Sequence, residues 1–88
     1  ILRIPDISQE LLQSAVEMDD NESLGQADAK AMINRLYDCG AIDEAQAILM
    51  HAATSDSALS GLNNATRDYI RAKILQAMAL SLALMGDE

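Results

Sequence analysis

The sequence predicts an all-α fold: a small bundle of about four helices, with a central antiparallel helical hairpin and a long apolar C-terminal helix. Three observations carry that expectation. Half of the 88 residues are apolar, drawn from 15 Ala, 12 Leu, 8 Ile and 5 Met, with one Val, two Tyr and no Phe or Trp. Ala and straight-chain residues lose little on entering a helix, whereas the aromatic residues and valines that enrich sheets are scarce. Apolar residues recur at helical rather than alternating spacing, and capping signatures separate the periodic runs. The length suits one domain near the size where a single core is just adequate. Residues 1–88 are therefore read as one helical domain, with 1–6 as an N-terminal arm and 55–64 as a loop.

The elements follow in order. Ile1 to Ile4 is a short apolar lead ending at Pro5. Asp6 reads as an N-cap with Gln9 as its reciprocal partner, and Ile7, Leu11, Leu12 and Val16 place a first helix over about 7–18. Ser23 and Gln26 repeat the capping signature. Leu24, Ala27, Ala31, Met32, Leu36 and Tyr37 then define an apolar stripe that stops at Gly40, suited to the C′ position. Asp43 caps a third helix with Gln46 at N3, and Ile42 is placed to staple onto Ala47. Ala45, Ile48, Leu49 and Ala52 continue that helix to about Thr54. The short connection makes the second and third helices an antiparallel hairpin. Ser55 to Asn64 is polar, with Ala58, Leu59 and Leu62 able to form a covering turn.

A final helix is expected from Ala65 or Arg67 to Met85, ending at Gly86. Its second half, from Ile74, is apolar on every side except at Gln76 and Ser81. A helix that is apolar all round must be buried all round, and three short neighbours cover one or two faces. The remaining face predicts a partner, with a second copy as the leading candidate. The residues assigned to that contact are Tyr69, Ile70, Ile74, Leu75, Met78, Leu82 and Met85.

Charge narrows the class of partner. Six basic against fourteen acidic residues give a formal charge of −8, with no Lys/Arg stripe to neutralise several phosphates or an anionic lipid surface. Nucleic acid and membrane partners are therefore not expected, whereas a basic protein is electrostatically favoured. The acids are concentrated: residues 1–28 hold seven against Arg3, while residues 65–85 hold Arg67, Arg71 and Lys73 against Asp68. Attraction between these two regions, within one chain or between copies, is expected from that asymmetry. Glu17, Asp19, Asp20 and Glu22 form an acidic surface. A calcium loop beginning at Asp19 fails, because its Gly and Glu positions hold Leu24 and Lys30. No metal or cofactor site is expected.

The single thiol, Cys39, forms no internal disulfide, which with the lack of a signal peptide reads as a cytoplasmic protein. The chain begins at Ile1 rather than Met, which reads as part of a longer protein. Its longest apolar run, Ile74–Met85, is too short to span a bilayer. Cys39 and His51 lie on opposite limbs of the hairpin but about 10 Å or more apart along it, too far for a nucleophile–base pair. With no phosphate loop, nucleophile elbow or zinc cluster, no enzyme activity is expected.

The segment Leu36-Tyr37-Asp38-Cys39-Gly40-Ala41-Ile42-Asp43-Glu44-Ala45, continuing to Ile48-Leu49 and Ala52, resembles a tetratricopeptide repeat hairpin. On that resemblance the small Ala45 is the point of close helix approach, and Ala79 to Gly86-Asp87-Glu88 is the first helix of a further unit. The two glycines are 46 residues apart rather than the family's 34, and the repeat-ending Pro is absent. The resemblance implies a protein-binding scaffold of the secretion-chaperone kind. The composite expectation is a small acidic helical adaptor, probing a partner through an apolar face and self-associating as a homodimer through its C-terminal helix. The alternative is an acidic inhibitor, such as an immunity protein or phage-type antagonist, that blocks a basic target.

Overall fold

The structure, a computed structural model, describes residues 6–85, which form α1 (Asp6–Val16), α2 (Gln26–Asp38), α3 (Glu44–Thr54) and α4 (Asn64–Met85). No strand occurs among the described residues. The small all-α bundle is as the composition predicts. The N-terminal arm, the capping role of Asp6 and the stop at Gly86 lie outside the described residues or side chains.

The α2–α3 hairpin is set by local chemistry. Gly40 has φ +84°, which a side chain would resist, and it closes a Schellman turn: Ala41 N–H donates to Leu36 O at 2.9 Å and Gly40 N–H to Tyr37 O at 3.1 Å. Asp43 then starts α3 with a reciprocal capping box, Gln46 N–H donating to Asp43 Oδ1 and Asp43 N–H to Gln46 Oε1, both at 2.8 Å. Ile42 and Ala47 are buried on either side of the cap, in the positions of a hydrophobic staple.

The start of α2 differs from the sequence expectation. Its N-cap is Gly25, which makes no side-chain cap bond, and Ser23 stays exposed. Leu24 takes the chain into the core instead: its side chain is buried, its N–H donates to Asp68 O at 3.1 Å, and its carbonyl accepts from Arg71 at 2.8 Å. A tertiary contact with α4 thus sets the boundary. At the start of α4, Asn63 Oδ1 accepts from Thr66 N–H at 2.9 Å and caps the helix two residues before Ala65. In the 55–64 segment Leu59 is buried under a helical turn, while Ala58 and Leu62 remain exposed.

The core is one cluster of Leu24, Ala29, Ile33, Leu36, Ile42, Ala47, Met50, Ala72 and Leu75. Two helix faces are rotated from the expected ones. In α2 the buried positions are Ala29, Ile33 and Leu36, not Ala27, Ala31 and Tyr37. In α3 they are Ala47, Met50 and Thr54, not Ala45, Ile48, Leu49 and Ala52. α1 rests chiefly on α4, where Gln76 donates to Val16 O at 2.8 Å and Met18 O at 3.0 Å, so α1 runs back along the last turns of α4.

Candidate functional site

Two apolar helix faces point away from this core. On α3, Ala45, Ile48, Leu49 and Ala52 recur at i, i+3, i+4 and i+7 and all are exposed, Ile48 at 62% and Leu49 at 60%. On α4, Tyr69, Lys73, Ala77, Leu80 and Leu84 fall within about 80° of the helix circumference, opposite the buried Leu75 and Ala79. Leu80 is 45% exposed and Leu84 67%. α3 and α4 line the same core through Ala47, Met50, Ala72 and Leu75.

The contact residues expected on α4 divide between these surroundings. Tyr69 and Met85 are exposed, and Ile70 and Ile74 are half-buried. Leu75 is wholly inside the chain's own core, and Met78 and Leu82 lean against it. Leu75 is therefore not available at the surface. Leu80 and Leu84, not among the expected contact residues, are the exposed leucines of α4. The signal was present in the Tyr69–Leu84 spacing, but choosing between faces requires knowing where the other helices sit.

The charged side chains settle differently from expectation. Arg71 is fully buried, with Nε donating to Thr54 O at 2.6 Å and Nη1 donating to Leu24 O at 2.8 Å and Asp68 Oδ1 at 2.7 Å. Its Nη2 pairs with Asp56 Oδ1. Arg67 Nε also approaches Asp56, at 3.5 Å, so these two arginines meet Asp56 and Asp68 rather than the N-terminal acids. Within the chain, among the described residues, the expected attraction between the two regions is seen at Lys73, whose Nζ lies 3.9 Å from Asp20 and 5.3 Å from the centre of the Tyr69 ring. Glu17, Asp19 and Asp20 are exposed and Glu22 is half-buried. Among the described residues, no group of three or more His, Cys, Asp or Glu is placed to hold a metal.

Cys39 Sγ donates to Leu36 O at 3.4 Å and His51 Nε2 meets Asn34 Oδ1 at 3.1 Å, so thiol and imidazole have separate partners. Ala45, which the repeat resemblance puts at a close helix approach, is exposed, and Ala47 is the small residue in the core. No described helix is long and apolar enough to cross a membrane. The arrangement offers a broad apolar helical surface, suited to burial against another helix layer.

Comparison with known proteins bears on what that layer is. No curated protein and no solved structure matches the chain. Residues 8–80 match the family described as CtsR C-terminal dimerization domain. With most of its length matched, the chain belongs to the family of CtsR C-terminal dimerization domains.

Proposed function

We propose that this chain is a homodimerisation module whose two-fold contact is made by the outward faces of α3 and α4. The observation that carries the proposal is the α4 stripe, with Leu80 and Leu84 in solvent on the side opposite the core, in a chain of a dimerization-domain family. A two-fold contact is self-complementary, so one patch serves both copies. Ala77 and Ser81, small and exposed near the middle of the apolar half of α4, let two helices approach closely. Ile48 and Leu49 of each copy flank that seam. Together the four helices form an intermolecular bundle, with α1 and α2 as its outer cover. A stable dimer buries ~800 Å² per partner, and in this proposal both helix faces contribute to it.

The test is the solution mass of the wild type, Leu80→Glu and Leu84→Glu by light scattering, with helicity followed by circular dichroism. The wild type should have twice the chain mass and each variant the single-chain mass, with helicity retained because both positions are outside the core. A monomeric wild type at high concentration would sink the proposal, as would variants that remain dimeric.

A further inference from the structure

Between α2 and α3, away from the α4 stripe, lies an open groove of about 520 Å³ lined by Gln26, Lys30, Asn34, His51, Ala52 and Thr54, among others. Gln26, Lys30 and Asn34 are four residues apart, so they form one row along α2. The oxygen of each amide already has one partner. Gln26 Oε1 accepts from Asp56 N–H at 2.7 Å, and Asn34 Oδ1 takes the ring N–H of His51 at 3.1 Å. Each amide therefore has its NH₂ left to donate, and between them stands the Lys30 ammonium, which has no ion-pair partner among the described residues. Each of these three positions presents a donor, and the next turn of the same row carries Asp38.

Two of the carboxylates near these three positions are paired or turned away. Asp56, which borders the adjoining groove, is held by Arg71 and Arg67. Asp28 is two residues from both Gln26 and Lys30, and so projects from the other side of α2. We infer that this row is a binding site for an extended acidic peptide segment carrying carboxylates on alternate residues. The spacing supports that ligand over a single anion. Donors one turn apart on α2 repeat every ~6 Å, at a rise of ~1.5 Å per residue. Alternate side chains of an extended chain repeat every ~6.6 Å, at ~3.3 Å per residue. Three carboxylates thus match three donors in register, whereas a point anion engages one or two.

The groove shares Ala52 with the outward face of α3 but none of the α4 stripe, and Leu80→Glu separates its test from that of the seam. The full chain is titrated with a Glu-Gly-Glu-Gly-Glu peptide, its Gln-Gly-Gln-Gly-Gln counterpart and inorganic phosphate, with backbone amide shifts read by NMR. Saturable shifts over residues 26–34 are expected with the acidic peptide alone. Lys30→Ala should weaken binding about tenfold, the effect of losing one charge-assisted hydrogen bond, and Leu80→Glu should leave it unchanged. The inference is overturned by the absence of saturation at millimolar peptide, by equal binding of the Gln peptide, by equal binding of phosphate, or by an unaffected Lys30→Ala variant.

Discussion

At the scale of single residues, Arg71 carries the largest burden. Its guanidinium is fully buried, yet it faces two main-chain carbonyls and two carboxylates, so its donors are spent on fixed acceptors. Those acceptors belong to different parts of the chain: Leu24 ends the α1–α2 connection, while Thr54 and Asp56 mark the end of α3 and the segment after it. One side chain of α4 therefore pins both connections. Arg71→Met removes the charge and orphans two carbonyls. The Asp56 and Asp68 side chains keep 54% and 32% of their exposure, so water takes over part of their solvation and moderates the loss. The expected destabilisation is about 3 kcal/mol, at the lower end for breaking a buried pair, read from urea unfolding. Arg71→Lys should recover less than half of it, because an ammonium cannot reproduce the planar fork. Full recovery by Lys would show that charge alone matters here.

At the scale of elements, the hairpin turn is the most self-contained unit, and its residues act locally. Asp43→Ala removes the capping box and should cost about 1 kcal/mol. Gly40→Ala places a Cβ at φ +84° with no neighbouring atom in the way, so only backbone strain opposes it, again about 1 kcal/mol. Thermal unfolding of both single variants and the double variant checks this; a Gly40→Ala variant as stable as wild type would refute the strain argument. The same locality explains what was legible in the sequence. Asp43, Gln46 and Gly40 fix their turn through neighbours within a few residues, so the hairpin could be read directly. The start of α2 could not, because Leu24 answers to Asp68 and Arg71, more than forty residues away. The facing of α3 was equally hidden. Ala45, Ile48, Leu49 and Ala52 make as good a helical stripe as Ala47, Met50 and Thr54, and only the positions of α2 and α4 decide which is inside. The proposed site was legible as an apolar excess on the last helix, but not as the Leu80–Leu84 face.

At the scale of the whole molecule, the opposing quantities are an apolar outer layer and a formal charge of −8 on each chain. Joining two copies buries the α3–α4 face but brings like-charged molecules together, so the seam must be apolar and the acids must lie elsewhere. Lys73 is the charged residue within the α4 stripe and is paired with Asp20 at its edge, while Glu17 and Asp19 lie on the connection after α1. Salt therefore separates this mode of association from capture of a basic partner. Screening weakens repulsion between acidic copies and leaves apolar burial in place, whereas it weakens an attraction between opposite charges. Sedimentation equilibrium from low to molar salt should show self-association unchanged or strengthened. Folding should be coupled to it as well, since a tenfold dilution of chain shifts the dimer equilibrium by about 1.4 kcal/mol. The wild-type melting temperature should accordingly fall on dilution, while that of Leu80→Glu should not depend on concentration. A wild-type melting temperature that ignores concentration, or a dimer that dissociates as salt rises, would place the contact somewhere other than the apolar α3–α4 face.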